Sequence, residues 1–364
     1  MHPKMFFNKK MLEAVGGKVP TTTDELYELL VKVRDADANG NGDANDEIGV
    51  TSNGLSNVLR AFTGAFGLNN RGREDLSVDA DPSDPTKIRF VYTCDSYRQY
   101  LAYVARLYQE GLIDTELFEL STAKMVAKGS QDMIFCLSYI NCQAASVNAD
   151  DYVGLEVALK GPNGDQQWNN MNKGVGLGAF AISPTCKDPA TLVRWIDSFY
   201  TDEGAKMFYF GKEGEDFYYD ENGLPAYNQE ILDQVSAENP YDKVISAISP
   251  YASGTLPVLI KDEFFCGAEC RGVNLETAKN LEPYVNQITW KFNFTTEESE
   301  ELSPLTADLI TNCHDVYRAK FIKGELDVND DAVWQSYVDE MQSLGLERYI
   351  EIYQGALDRM RAQN

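Results

Sequence analysis

Histidine is nearly missing from this chain of 364 residues, which holds only His2 and His314. A histidine-based hydrolase or metal cluster therefore has almost no raw material. Basic side chains are also scarce against acidic ones, 32 against 57, for a formal net charge of −25. Such an excess repels a phosphate backbone and an anionic membrane surface, which argues against sequence-nonspecific nucleic-acid binding and leaves neutral, cationic or metal partners. Long apolar runs are absent too. The longest, Val175 to Ile182, is short and broken by glycine, against the ~18 to 20 consecutive apolar residues that a membrane span requires. There is no G-x-S-x-G elbow and no G-x-x-x-x-G-K-[ST] loop, and the opening residues lack the basic, apolar, small-residue pattern of a signal segment.

The seven cysteines, Cys94, Cys136, Cys142, Cys186, Cys266, Cys270 and Cys313, are odd in number and scattered, unlike a disulfide scaffold. Cys136 and Cys142 lie in or beside an apolar run and are expected to pack as small hydrophobes. Cys266 and Cys270 have no second Cys/His pair nearby, which argues against zinc. Gly174, Gly176 and Gly178 are spaced like part of a dinucleotide fingerprint, but strand-like residues follow instead of a helix, so they read as close backbone packing. His314, beside Cys313 in a helical pattern, reads as a structural or surface residue rather than half of a Cys-His dyad.

What is present suits a globular protein of about two domains, with 43% hydrophobic and 11% aromatic residues. Met5–Phe7 reads as a strand, and Asn8 opens a short helix that stops at Gly16-Gly17. Thr22 and Glu25 form a capping box before the helical spacing of Leu26, Leu29, Leu30 and Val33. Residues 64–85 turn polar and Gly/Asp/Pro-rich, a loop or boundary. Strands are expected at Lys87–Thr93, Met133–Tyr139, Tyr152–Lys160 and Val175–Ser183, and a helix from Tyr97 to a stop at Gly111. Asp188-Pro189 starts a helix lined by Leu192, Trp195, Ile196 and Phe199. Asp220 to Gly223 reads as a tight turn. From Ser303-Pro304 onward the chain is expected to be helical, in segments lined by Leu305, Leu309 and Val316, by Trp334, Tyr337, Val338 and Met341, and by Tyr349, Ile350, Tyr353 and Leu357. Strands alternating with helices argue for an α/β fold.

Asp35 to Glu47 carries an oxygen-bearing side chain at nearly every second position, with Gly40 and Gly42 between them. Hard cations take six to eight oxygen ligands, and such a loop supplies them from alternate residues, so calcium is the expected cofactor. Counting from Asp35 gives an EF-hand pattern that ends on Asp46; counting from Asp37 uses Asn39 and Asn41 next and closes with Asp46 and Glu47. Asp37, Asn39, Asn41, Asp43 and Asp46 serve in both registers. The competing reading is an acidic surface turn that binds nothing. For an organic ligand, the candidates are aromatic faces with adjacent amides: Tyr139 at a strand end with Asn141 after it, Trp168 in a turn-rich connection, and Trp290 near a Phe-rich segment. Each could equally be plain packing. The 57 acidic residues carry no evidence for a glycosidase, because some carboxylate pair always falls at catalytic spacing.

Several segments, in order, resemble the extracellular solute-binding proteins of bacterial ABC importers, in the large lipoprotein branch of sugar-binding family 1, distantly related to maltose-binding protein. They are Met5 to Lys10 with Val19 to Glu25, the loop Asp37 to Glu47, Leu107 to Asp114, Asp202-Glu203-Gly204 with Gly214-Glu215-Asp216, and Gly345 to Gln354. The resemblance implies a type II two-lobe fold with hinge crossings and a helical C-terminal region, a solute held in the cleft, with a sugar as that solute, no catalysis, and membrane permease subunits as partners of a monomer. It implies residues 1–60 as a remnant of the first lobe, 61–150 in the second lobe, 151–183 as crossing strands and first-lobe return, and 184–364 as second lobe and C-terminal helices. Tyr139 falls near a cleft aromatic, Trp168 lies just past a crossing strand, and the calcium site is structural; Asp46 and Glu47 as closing carboxylates favour the Asp37 register. Family members carry a lipoprotein signal and about a hundred residues before the segment matching Met5, which implies an N-terminally truncated chain. The rival readings are a carbohydrate-active enzyme and a dockerin-like calcium module, the latter needing a second loop.

Overall fold

The computed structural model describes residues 3–71, 77–142, 151–169, 180–221, 223, 225–234, 236, 239, 241–249, 259, 261, 272–286, 290 and 292–362. In chain order, the first elements are β1 (Lys4–Asn8), α1 (Lys9–Ala14), α2 (Thr23–Arg34), β2 (Ile48–Thr51), α3 (Leu55–Thr63), β3 (Val78–Ala80), β4 (Ile88–Phe90), α4 (Asp95–Gln109), α5 (Thr122–Gly129), β5 (Ile134–Tyr139) and β6 (Tyr152–Gly154). There follow α6 (Pro189–Asp197), α7 (Asp202–Phe210), β7 (Phe217–Tyr219), β8 (Pro225–Tyr227), α8 (Gln229–Leu232), α9 (Tyr241–Ser246), α10 (Gly272–Leu281), α11 (Thr296–Thr306), α12 (Asp315–Lys323), α13 (Asp331–Ser343) and α14 (Leu346–Ala362). Among the described residues no helix is long and apolar enough to cross a membrane.

The central sheet runs in the order β2-β5-β1-β6. β2 is parallel to β5, and β1 is antiparallel to both β5 and β6, with Lys4 opposite Tyr139 and Phe7 opposite Val153. Successive side chains on a strand face opposite ways, so a sheet covered on both sides needs an unbroken apolar run. β1 obeys this: Met5 and Phe7 enter the main core and Phe6 enters a smaller cluster with Met125, Ile134, Leu137 and Tyr152. The main core continues into α2, α3, α4 and the C-terminal helices. Stretches 1–60, 61–150 and 151–183 each contribute strands to this one sheet; pairing between distant segments leaves no trace in local periodicity. A third cluster stands apart, built by Ala205, Tyr209 and Phe210 of α7 with Phe217, Tyr227, Val244 and Ile245.

Asn8 accepts the Met11 N–H at 3.2 Å, Thr22 accepts the Glu25 N–H at 3.1 Å, and Asp188 accepts the Thr191 N–H at 3.0 Å. The Glu25 carboxylate turns back one residue farther than a capping box requires, onto Thr21. Three expectations need correction. The Tyr152–Lys160 strand is laddered only to Gly154, with one isolated bridge from Lys160 to Thr22; among the described residues no further strand pairs with its later part. Lys87–Thr93 shortens to Ile88–Phe90 and tightens into a 3₁₀ turn. Ser303-Pro304 does not start a helix: the start is Thr295, whose reciprocal capping box with Glu298 begins about two helical turns upstream, and Pro304 sits inside α11. A proline there removes one N–H from the ladder, and residues Ala307–His314 follow in π-helical winding. α6 forms as expected, though its Trp195 is 56% exposed. Most of the strand expected at Val175–Ser183, the three-glycine segment, Cys266, Cys270 and Asn222 lie outside the described residues.

The π-helical segment ends on His314, stacked on Tyr92 at 3.7 Å between centroids. Its Nε2 lies 3.2 Å from the Tyr97 hydroxyl and its Nδ1 3.2 Å from the Tyr337 hydroxyl. Because Tyr337 donates onward to the Tyr92 carbonyl, Nδ1–H must donate to Tyr337 and Nε2 must accept from Tyr97, which sets the tautomer. No position remains for a second proton. Burial, and then the Arg318 guanidinium, hold His314 well below the ordinary imidazole value. The unfolded chain takes up that proton near pH 6.5 and the native one refuses it, so this stability is complete above pH 6.5 and is lost as pH falls from there through the folded value. By pH 5.5 the loss from this residue is about 1.4 kcal/mol. Urea titrations at pH 7.5 and 5.5 on the wild type and on His314→Gln check it: the variant should lack that part of the pH dependence.

Candidate functional site

Ligands of α/β sheets bind in the crevice beyond the carboxyl ends of parallel strands. Here those ends belong to β2 and β5, followed by Ser52-Asn53 and by Ile140-Asn141. α3 rises from this edge with Gly54 at its N-cap, where no side chain closes the first turn. Along one face of α3 runs a connected polar stripe. Asn57 Nδ2 donates to Asn53 Oδ1 at 2.7 Å, Arg60 donates to Asn57 Oδ1 at 3.3 Å, and the Thr63 hydroxyl donates to the Arg60 carbonyl at 3.0 Å. Thr63 then accepts from Asn69 Nδ2 at 3.2 Å and from Asn169 Nδ2 at 2.8 Å. The spacing of 57, 60 and 63 keeps these three on one side of the helix, with Asn53 just before its start, while Val58, Leu59 and Phe62 are buried on the other.

The stripe joins the two places that the sequence reading singled out. At one end, Ser138 of β5 donates to the Asn57 carbonyl at 2.7 Å. Next to it stand the half-buried Tyr139 and the buried Asn141, whose neighbour Cys142 gives its N–H to Asn274 Oδ1 at 3.0 Å. At the other end lies Trp168, 6% exposed, in the main core; its N–H donates to the Tyr284 carbonyl at 2.9 Å. Asn57 and Thr63 are six residues apart, about 9 Å of helix rise. The aromatic candidates therefore flank a helix instead of sharing one wall. Trp290 is buried, with Arg71 stacked over its ring at 5.1 Å. Asn57, Arg60, Thr63 and Asn169 escaped the sequence reading because the polar face of an amphipathic helix looks the same whether it meets solvent or a ligand.

Behind the far end of α3 lies a buried ion pair. Arg89 donates to Asp79 Oδ2 at 2.9 Å and to the Gly67 carbonyl at 2.9 Å, and Asp79 also accepts the Asn70 N–H at 3.1 Å. Burial pushes the Asp79 carboxyl above its ordinary value, against the pull of Arg89. These contacts hold residues 67–71 beside the stripe.

In the acidic loop, Asp35 turns away: its carboxylate meets Arg34 Nε at 2.8 Å at the end of α2. The other residues turn toward one another. Asp37 accepts the N–H groups of Asn41 and Gly42, both at 3.0 Å, and Asn39 Oδ1 also accepts the Asn41 N–H at 2.9 Å. The side-chain amides of Asn39 and Asn41 donate to Asp46 at 3.0 and 2.6 Å. Glu47 Oε1 accepts the Ala38 N–H at 2.7 Å, while its Oε2 is buried with no partner. Asp43 caps Asn45 at 3.1 Å. Among the described residues no three His, Cys, Asp or Glu side chains form a group that could hold a metal ion. The oxygen set at this loop is instead mixed carboxylate and amide, the donor type hard cations take, and the orphaned Glu47 oxygen fits such a use.

No known protein-family profile matches the chain. It is 24% identical over 374 aligned residues to the fructooligosaccharide ABC transporter substrate-binding protein FusA of Streptococcus pneumoniae serotype 4, covering 98% of this chain and 65% of that protein. It is 30% identical over 176 residues to the lipoprotein LipO of Bacillus subtilis, covering 44% of this chain and 33% of LipO. The chain thus spans about two thirds of one curated relative and a third of the other. The structure of FusA in complex with kestose superposes with a TM-score of 0.76 at 23% identity, covering 100% of this chain and 73% of FusA. An EF-hand mutant of FusA in complex with fructo-nystose gives 0.74 over the same shares, also at 23% identity. The alginate-binding protein AlgQ2 without calcium ion gives 0.76 at 18% identity, covering 98% of this chain and 72% of AlgQ2. The chain is thus similar along 98% of its length to a curated ABC transporter substrate-binding protein, and it shares its α/β fold with the solved structures of FusA and AlgQ2.

Proposed function

We propose that the chain is the solute-binding component of an ABC importer that captures an oligosaccharide between two lobes and hands it to permease subunits in the membrane, without turnover. The similarity to FusA over nearly the whole chain carries this reading. The amide and guanidinium stripe on α3 supports it, since hydroxyls of a neutral sugar need both donors and acceptors. In this reading the sheet-bearing body and the separate core around Tyr209 and Phe210 belong to different lobes, and residues 151–183 contain crossings between them. Tyr139 and Asn141 flank the bound sugar at one end, Trp168 seats the segment at the other with its ring in the main core, and ligand favours the closed arrangement by its greater affinity for it. The protein acts as a monomer on the outer side of the membrane. Titration calorimetry with kestose, a milk oligosaccharide, an N-glycan and an alginate oligomer tests it. Saturable binding of a sugar with no product on chromatography is the expected result; product release would make the chain a hydrolase.

Calcium is the second part of the proposal. Asp37, Asn39, Asn41, Asp43, Asp46 and Glu47 hold the ion in the register that starts at Asp37, as a brace between α2 and β2. The inward network of Asp37, Asn39, Asn41, Asp46 and Glu47, with Asp35 held by Arg34, supports that register. Binding would rotate the Asn39 and Asn41 amides so that oxygen, not nitrogen, faces the ion. A ligand bound only by the native state at 100 times its Kd stabilises it by about 2.7 kcal/mol. Chelation is therefore expected to lower the melting temperature by several degrees, with recovery on added calcium and no response in Glu47→Gln. An unchanged wild-type melting temperature would leave only an acidic turn.

A further inference from the structure

Residues 167–169 run extended, bridged to Val285 at Trp168, so Gln167 and Asn169 face one way while Trp168 faces the other, into the main core. On the Gln167 and Asn169 side two acceptors are buried with no partner: Gln167 Oε1 and Asn169 Oδ1. Asn169 is 2% exposed. Its orientation is settled by Thr63. That hydroxyl gives its only proton to the Arg60 carbonyl, so it can only accept from Asn169, which must present Nδ2 to Thr63 and aim Oδ1 elsewhere. Buried acceptors are rarely left unmatched, because the desolvation penalty is felt in full, and an unmatched one in a native fold calls for a functional reason. Gln167 is seated equally firmly: its N–H donates to the Gly64 carbonyl at 3.2 Å, at the end of the polar stripe.

We propose that Gln167 and Asn169 form a hydroxyl-accepting subsite that contacts the ligand directly and selects neutral polyols. The proposal rests on the sugar-binding reading above and adds to it the residues and the hydrogen-bond polarity of one end of the site. Two acceptors two residues apart in extended chain stand about 6.7 Å from each other, a spacing suited to hydroxyl donors on one sugar or on adjoining sugars. Both are neutral amides in a chain of 57 acidic residues. An ammonium or guanidinium ligand would be matched by a carboxylate, whereas a hydroxyl donor is well matched by an amide carbonyl. Trp168, between them in sequence, anchors the segment through the core and keeps the two carbonyls in place. A site built to pair a ligand hydroxyl discriminates strongly against an analogue lacking it, since the acceptors are then left bare.

The test uses the full chain and kestose as the probe, by calorimetry and thermal melting together. Gln167→Met keeps length and removes an unmatched acceptor, so it should melt no lower than the wild type yet bind kestose at least 10-fold more weakly. Asn169→Leu should weaken binding by a similar factor. It also loses the Thr63 contact, so Gln167→Met decides the matter if Asn169→Leu does not fold. Kestose lacking one hydroxyl at the subsite should bind the wild type more weakly and bind Gln167→Met no worse than intact kestose does. Wild-type binding with unaltered affinity in both variants would overturn the subsite and leave the sugar-binding reading standing. No wild-type binding to kestose or to any other sugar of the panel would instead bring down that reading, and the subsite with it.

Discussion

Gly64→Ala is expected to destabilise the fold by on the order of 3 kcal/mol, a large effect for a single methyl group. A Cβ on Gly64 would lie 1.9 Å from the Gln167 carbonyl oxygen and 2.5 Å from its carbon. Both are backbone atoms, which cannot rotate aside as a side chain would. Gly64 has φ −65° and ψ −28°, ordinary right-handed values, so alanine suffers no backbone strain and would gain up to about 1 kcal/mol of helix propensity. Sterics must overcome that gain, and at 1.9 Å they do. The same joint is closed a second time where a Cβ on Gly161 would meet the Ala65 carbonyl at 1.6 Å. Urea denaturation of Gly64→Ala beside Gly54→Ala checks the argument, since Gly54 has open space around its missing Cβ. Gly54→Ala, at an N-cap where alanine is the poorer residue, should lose no more than about 1 kcal/mol. Equal stabilities for the two variants would mean that residues 166–169 do not rest on the end of α3, and the geometry of the site would have to be redrawn.

Asp79→Ala is expected to cost about 3 to 5 kcal/mol, by leaving Arg89 buried without its counter-charge. The Asp79 side chain is fully buried and that of Arg89 is 12% exposed, so water cannot take over the lost role. The pair itself is no strong source of stability, because desolvating both charges offsets most of their attraction. Replacing both partners at once, as Asp79→Leu with Arg89→Met, should therefore be far milder than removing Asp79 alone. A double-mutant cycle followed by denaturant titration distinguishes the cases. If the single variant proves as mild as the double one, Arg89 has found another acceptor beyond the Gly67 carbonyl. The ion pair would then have no special part in holding residues 67–71 beside α3.

How much of this was legible in the sequence depends on how local each signal is. The caps at Asn8, Thr22 and Asp188 could be read directly, because donor and acceptor lie within three residues of each other. The burial of Cys136 and Cys142 and the structural role of His314 followed from the apolar and helical patterns around them. Thr295-x-x-Glu298 was equally readable, but the proline at 304 drew the helix start to itself, although a proline suits a first turn and can also survive inside a helix whose winding loosens after it. Sheet order was not readable, since the partner of Phe7 is named nowhere near Phe7. The candidate site was half readable. Tyr139, Asn141 and Trp168 stand at the two ends of the polar stripe, but nothing near Asn57, Arg60 and Thr63 in the sequence foretells that Ser138 and Asn169 bond to their helix.

The place of β1 in the sheet also sets a timetable. Its register partners Tyr139 and Cys136 follow Lys4 and Phe7 by about 130 residues, and at ribosomal rates of 5 to 20 residues per second Lys4–Asn8 waits for its β5 partner for about 6 to 26 s. Hairpins form in microseconds, so that interval is ample for Met5, Phe6 and Phe7 to meet the wrong neighbour. Because β1 is the strand between β5 and β6, the sheet cannot close until the last of the three is made. Met5 to Phe7 can therefore join both partner strands only once residue 154 has emerged, and depleting holdases from a translation system would be expected to raise the aggregated fraction.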